Sequence, residues 1–386
     1  MAYSDKAMKE LMDSSIEKLG LPGIDCIVYH SHKEIFRYQA GYGDMEAKTP
    51  PALDALYNIY SATKMVTCVA AMQLVEQGRM HLLDPVHKYL PEYKDILVKY
   101  GSFIIVPAKK HMRILDLFTM TVGITYDLDT AVMRKFREET NDDFDSRAFV
   151  AQLAKEPQLF EPGDSWSYSY CHDILGVVVE VISGMSLGEY FKMNIFEPLG
   201  MEDTFFTTPP DKKSRLAPQY EYDFATAKVK RISTDCIGRV GKRQESGGGG
   251  LISSTNDYIL FADALACGGV GVSGQQIISE RSIRLMRENR LSGKLLDEFM
   301  TLGAMVGSAS GVGYGLGVGV FFDAAAACTL VPEGSFYWGG LGGVQNLIDI
   351  ENKVSYYVSM HNVRNPTVLL RPYMLNTLYG SMLREV

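Results

Sequence analysis

The chain has 386 residues, 46% of them hydrophobic and 22% charged, with a formal net charge of −8. This composition excludes disorder and collagen-like or coiled-coil architecture, because apolar residues are plentiful and the 36 glycines follow no strict period. The acidic balance argues against a nucleic-acid partner, and no apolar run approaches the ~18–20 residues of a membrane-spanning helix.

In chain order, the opening MAYSDKAMKELMDSSIEKLG is an amphipathic helical pattern without the apolar stretch of a secretion signal, so a cytoplasmic location is expected. Residues 24–31 and 34–41 alternate around Ser31, His32 and Lys33 and predict a β-hairpin. From residue 61 to about 289 the pattern is mostly helical, with segments at 62–77, 114–121, 146–155, 172–183, 187–197, 256–266 and 279–288. The last hundred residues change character. Short β-rich runs at 314–322, 334–338, 344–349 and 354–360 precede a final helix over 368–383. Strands at both ends with helices between them predict one antiparallel sheet assembled from the two termini, with a helical region inserted. No low-complexity linker divides the chain. Residues 1–386 are therefore expected to form one catalytic unit, with an α/β part over roughly 1–60 and 300–386 and a helical part over roughly 61–299.

Six cysteines (Cys26, Cys68, Cys171, Cys236, Cys267, Cys328) lie far apart and never form CxxC, so they read as reduced thiols. Among seven histidines only His30 and His32 are close, and no HExxH occurs. Neither a metal site nor another cofactor is expected.

The sharpest local feature is Tyr60-Ser61-Ala62-Thr63-Lys64, which opens the 62–77 helix. A serine there has its hydroxyl near unpaired backbone N–H groups and the positive end of the helix dipole. Lys64 lies one turn on, on the same face. An amine beside a hydroxyl can act as the general base that a serine nucleophile needs. Taken alone, SxxK is short and common, and a plain N-cap with a solvated lysine is the simpler reading.

The surroundings alter that balance. The run MVTCVAAMQLVEQGRMHLLDPVHKYLPEY from Met65 resembles the stretch after the nucleophile in the serine β-lactamase and penicillin-binding protein superfamily. There the SxxK helix runs into a G-x-(apolar)-x-L-D-x-P-V-x-x-Y-L-P segment, here Gly78 to Pro91. Further matches follow in order: Phe160-Glu161-Pro162-Gly163, then Trp166-Ser167-Tyr168-Ser169-Tyr170, the PLGM segment ending at Met201, the GGLxS segment from Gly249, and Gly313-Tyr314-Gly315-Leu316-Gly317. Over roughly residues 20–365 the chain is similar to the class C β-lactamase-like branch, which includes the carboxylesterases called family VIII. The resemblance implies an α/β (α+β) fold of the β-lactamase/transpeptidase type and acyl transfer on Ser61, with no metal or cofactor.

It also implies roles for single residues. Tyr168 stands at the tyrosine of the family's Tyr-x-Asn and, beside Lys64, would relay protons between Ser61 and the leaving group. Tyr170 occupies the Asn position, which removes an amide that contacts the acyl-amide group in β-lactamases. The family's Lys-Thr-Gly or His-Thr-Gly strand is here Trp338-Gly339-Gly340, as in the family VIII esterases. Its glycines would allow close approach of substrate. The N–H of Leu341, with that of Ser61, would form an oxyanion hole. Tyr170, Trp338, Gly339 and Gly340 would line the substrate site.

A competing signal is Gly184-Met185-Ser186-Leu187-Gly188, which fits the G-x-S-x-G nucleophile elbow, with His361 later in the chain order that fold requires. Alternatively Gly184 ends one helix and Ser186 caps the next, with Glu189 completing a capping box. Alternating β/α units are not visible, which favours the cap. The glycine run 247–250 lacks the Lys-Ser/Thr of a phosphate loop and reads as strand and turn. His172 reads as a satisfied, partly buried histidine. The expectation is a serine hydrolase acting through an acyl-enzyme on Ser61, most simply a carboxylesterase on small esters. Its partner would be a small-molecule ester or amide, not nucleic acid or a membrane. A β-lactamase or D-amino-acid peptidase is the alternative on the same fold. A catalytically silent binding or regulatory relative is the alternative of another class. Oligomeric state is not legible.

Overall fold

The computed structural model describes residues 2–101, 104–237, 239–305 and 310–383. The alternation around residue 31 produces antiparallel strands β1 (Gly23–His30) and β2 (Lys33–Gly41). Ser31 and His32 join them, both with positive φ. Two such residues in succession give the tight turn whose twist matches the flanking strands.

The β-rich runs near the C-terminus become five strands: β3 (Val312–Tyr314), β4 (Gly319–Phe321), β5 (Phe336–Gly339), β6 (Gln345–Asp349) and β7 (Val354–Ser359). The single strand expected over 314–322 is a hairpin, because Gly317 turns the chain at φ +81. A side chain there would overlap Cys68 Sγ, so only glycine fits. The seven strands form one sheet in the order β3-β4-β5-β6-β7-β1-β2, antiparallel throughout. The two ends of the chain meet where β7 pairs with β1, from Val354 opposite His30 to Ser359 opposite Asp25.

Helices cover both faces of this sheet. Successive residues of a strand point to opposite sides. Tyr357 stacks on Tyr258 of α4 (Thr255–Ala266) at 4.5 Å, while Tyr356 donates to Met374 Sδ of α5 (Thr367–Gly380) at 3.4 Å. The amphipathic N-terminal pattern forms α1 (Lys6–Leu19), which packs beside α5. The apolar α2 (Thr63–Glu76) is buried from Thr63 to Leu74, as an apolar helix must be, and packs on α3 (Cys171–Ser183).

The stretch 61–289 holds more β structure than its composition suggests. Gln219–Asp223 and Lys228–Ile232 form a hairpin extended by Asn362–Val363, and Leu97–Tyr100 pairs with Ile104–Pro107. Charged and exposed residues in KVKRI and its neighbour blur the apolar alternation that would reveal these strands. The helix expected over 187–197 breaks into Leu187–Phe191, a π-helical turn Lys192–Phe196 and Glu197–Leu199. Pro198 cannot donate to the carbonyl of residue 194, and the wide turn accommodates it. All six cysteines are free. No single helix among the described residues is long and apolar enough to cross a membrane.

The G-x-S-x-G segment is a helix junction. It follows α3, which Gly184 ends at φ +78, and the Glu189 N–H donates to Ser186 Oγ at 3.3 Å while the Ser186 N–H donates to Glu189 Oε2 at 3.0 Å. Ser186→Ala should therefore lower unfolding stability by ~1 kcal/mol, read as a shifted denaturation midpoint at unchanged slope.

Candidate active site

The strand Leu56–Asn58 pairs with Ile252–Ser254 and then turns sharply into α2. The turn depends on Tyr60, a buried non-glycine residue at φ +47. Such a conformation costs of order 1–3 kcal/mol and persists only where its surroundings enforce it. Here the Tyr60 hydroxyl donates to Gln219 Oε1 at 2.5 Å, and the Ile59 N–H donates to the Leu251 carbonyl at 3.0 Å. The outcome is that Ser61, half-buried, stands at the entrance to α2.

Lys64, one turn on, is fully buried. An ammonium group has three N–H donors, and each meets an acceptor. They are Ser61 Oγ at 3.4 Å, the Tyr126 hydroxyl at 2.9 Å, and the Gly248 carbonyl in a shorter contact. Flanking bonds hold the glycine-rich segment to the same face of α2: the Leu251 N–H donates to Thr63 Oγ1 at 3.1 Å and Thr67 Oγ1 donates to the Gly247 carbonyl at 2.7 Å. Tyr168 arrives from the segment before α3, and its oxygen lies 2.6 Å from Ser61 Oγ. The Lys64 amine sits 4.8 Å from the centre of the Tyr168 ring. The structure thus brings Ser61, Lys64 and Tyr168 into one hydrogen-bonded group.

The other expected residues surround this group at different distances. Trp338 packs against Tyr168 and Tyr314, with ring centres 5.9 and 5.2 Å apart, and Trp166 completes the aromatic wall at 6.4 Å from Tyr168. Gly339 and Gly340 lead into a turn packed on residues 59 and 60, where a side chain on Gly340 would overlap the Ile59 carbonyl. Leu341 lies in that turn with its side chain exposed. Tyr170 does not reach Ser61 or Lys64. It is buried between Tyr126, at 4.4 Å, and Phe149, at 5.1 Å.

Tyr126 is the contact that sequence reasoning missed. Its hydroxyl is the inner end, bonded to the buried amine, although the residue as a whole is 36% exposed. Desolvation of that end, with the Tyr168 phenol and then Asp173 adding, raises its phenol well above the ordinary value. Tyr126 therefore accepts from Lys64 as a neutral group. The role of the Gly248 carbonyl was likewise hidden, since a glycine run announces a turn and not an acceptor.

Behind the site the charges are kept few. Burial, then the Lys64 charge, depresses His172 to about 3, so it is neutral. Its Nε2 lies 3.3 Å from the Phe118 carbonyl and 3.7 Å from Cys68 Sγ, the satisfied arrangement expected for it. Asp173 is buried too, and its Oδ1 accepts from Ser246 Oγ at 2.6 Å. Desolvation raises its carboxyl while Lys64 pulls it down. The Ser61 hydroxyl thus touches two proton-carrying groups beneath an aromatic wall, with a glycine turn packed against its backbone.

Known proteins share this architecture. A solved hydrolase with promiscuous acyltransferase activity, EstCE1, superposes with a TM-score of 0.80 at 22% identity, covering 97% of this chain and 98% of its own. Esterase EstB from Burkholderia gladioli is 29% identical over 350 residues, 88% of this chain and 86% of that protein. Protein Rv1367c from Mycobacterium tuberculosis is 31% identical over 350 residues, 87% of this chain and 84% of that protein. The family model described as Beta-lactamase matches residues 5–374, and the chain belongs to that family, with the β-lactamase/transpeptidase fold its sequence implies.

Proposed function

We propose that this protein is a serine hydrolase of small carboxylic esters, working through an acyl-enzyme on Ser61. The observation that carries the reading is the three-way contact at Ser61 Oγ, with the Tyr168 oxygen at 2.6 Å and Lys64 Nζ at 3.4 Å. Ser61 must lose one proton to attack a carbonyl carbon, and these are the two groups within reach of it. For this step Lys64 must first give up a proton to become a neutral amine, and it then takes the Ser61 proton, with the Tyr168 hydroxyl relaying it. The carbonyl π electrons move onto oxygen, and the N–H groups of Ser61 and Leu341 bond the oxyanion. Collapse expels the alcohol, protonated by Tyr168, and water then releases the acid by the same route in reverse. Tyr126 touches no substrate atom in this scheme and acts as a positioning residue for Lys64. The esterase among the relatives supports the substrate class.

The substrate class also follows from what faces the nucleophile. β-Lactams and D-Ala-D-Ala termini present a carboxylate, which the family's Lys/His-Thr-Gly strand meets with a cation and a hydroxyl. Trp338-Gly339-Gly340 offers neither. Arg371 does not replace the cation: its guanidinium lies over the Tyr337 ring at 5.2 Å and against Gly339. Those two residues share the face of β5 opposite Trp338.

Three measurements test the reading. A fluorophosphonate probe should label Ser61 in the intact protein and Ser186→Ala, with labelling and turnover of p-nitrophenyl esters abolished in Ser61→Ala. Labelling at Ser186 instead would overturn the assignment of the nucleophile.

Lys64→Arg keeps a cation that cannot yield its proton near neutral pH. It should reduce kcat by about 100-fold or more, the scale of general acid–base catalysis. Tyr126→Phe removes one acceptor of a charged hydrogen bond, worth about 1.5–3 kcal/mol, and should lower kcat by roughly 10–100-fold with KM little changed. Near-native rates in Lys64→Arg would make the lysine a structural cation only.

Finally, kcat/KM for p-nitrophenyl acetate or butyrate should exceed that for nitrocefin or a D-Ala-D-Ala peptide by roughly 10–100-fold, the value of the missing charged hydrogen bond. Nitrocefin turnover equal to that of the esters, on one preparation, would favour the β-lactamase reading instead.

A further inference from the structure

Outside the Ser61 site, the described residues bring together one group of potential metal ligands. His32 stands at the tip of the β1–β2 hairpin, while Asp263 and Cys267 lie one turn apart at the C-terminal end of α4. His32 and Asp263 are 231 positions apart in the chain, so no ligand spacing announces them. Their donor atoms, His ring nitrogen, carboxylate oxygen and Cys Sγ, all lie within 4.8 Å of one another. The Asp263 side chain is fully buried and that of His32 is 34% exposed, which leaves an entry path from solvent.

We propose that His32, Asp263 and Cys267 form a binding site for a zinc-like divalent transition-metal ion. Mixed nitrogen, oxygen and thiolate donors suit such an ion, with water completing a tetrahedron. Bond lengths of ~2.0–2.3 Å give tetrahedral edges of about 3.3–3.7 Å, so the ligands must close by roughly 1 Å at their widest. His32 and Cys267 are the half-exposed members and can rotate to do so, while Asp263 stays fixed. The ion would replace the present contacts, His32 Nδ1 to Asp263 Oδ2 at 2.7 Å and Cys267 Sγ to Asp263 Oδ1 at 3.8 Å. On binding, the Cys267 thiol releases its proton to solvent and its sulfur lone pair forms the metal bond.

Two further features point the same way. The carbonyl end of α4 carries partial negative charge, which favours a cation beside Cys267. His32 also occupies a left-handed backbone position, φ +68, where glycine would be unstrained. Its N–H donates to Asp263 Oδ1 at 3.2 Å, which aims the residue at the carboxylate. Lys353, near Cys267, is a cation that a metal must tolerate or displace.

The test uses the full-length protein after dialysis against a chelator. Cobalt(II) chloride is the spectroscopic probe, and zinc chloride is titrated in calorimetry. The expected result is one ion per chain, with a thiolate-to-cobalt charge-transfer band. That band should vanish in Cys267→Ser and persist in Cys328→Ser, which removes an exposed thiol elsewhere. His32→Asn, chosen because asparagine tolerates the left-handed turn, should weaken zinc binding by about 10–100-fold or more. Zinc should raise the Tm of the native protein but not of Cys267→Ser. A cobalt spectrum without the charge-transfer band, or zinc binding that survives both Cys267→Ser and His32→Asn, would overturn the proposal. The cluster would then be a hydrogen-bonded clasp between hairpin and helix.

Discussion

A lysine ammonium with no exposure to water governs the architecture around it. A buried charge is tolerated only when its donors are all met. Three acceptors from three separate segments converge on Lys64: the serine one turn earlier, a tyrosine hydroxyl from the loop after Gly123, and the carbonyl of Gly248. Each acceptor fixes the segment that carries it. The glycine run must approach α2 closely enough to present a carbonyl, the 126 loop must fold inward, and Ser61 must stand where the amine can reach it. The left-handed turn at Tyr60 is the counterpart on the serine's side. Strain at one residue and burial at another are borne together, and both serve to hold one hydroxyl in place.

The second theme is replacement of polar groups by rings. Where the family's pattern has an amide, Tyr170 lies buried and supports Tyr126, whose hydroxyl bonds the lysine. Where that pattern has a cation, Trp338 faces Tyr168. Both exchanges keep the serine, amine and phenol geometry while placing rings where the family's pattern has polar groups. The face that Trp166, Tyr168, Tyr314 and Trp338 present there is aromatic.

Much of this was legible in the sequence, and the reasons divide by range. The hairpin around Ser31 and His32 follows from local alternation, and the Ser61–Lys64 pair follows from one turn of helix, so each is written in a few adjacent residues. The cap at Ser186 is local in the same sense, since serine and Glu189 satisfy one another across three positions. Tyr126 was not legible, because its importance lies in a bond to a residue 62 positions away and its own neighbourhood reads only as loop. The strands Gln219–Asp223 and Lys228–Ile232 were missed for another reason. Their exposed faces are lined with charge, and the hairpin is completed by a segment near residue 362.

The joining of the two chain ends in one sheet carries a cost in time. Strand β1 cannot meet β7 until more than 300 further residues have been made, although β2 is available to it at once. At synthesis rates of about 5–20 residues per second this interval is roughly 15–60 s. Throughout it one edge of β1 presents unpaired N–H and C=O groups, flanked by the apolar Ile24, Cys26 and Val28, and such an edge is a template for another copy of the same strand. The time for which that edge stays open is set by the pace of synthesis, a quantity that the stability of the finished molecule does not enter.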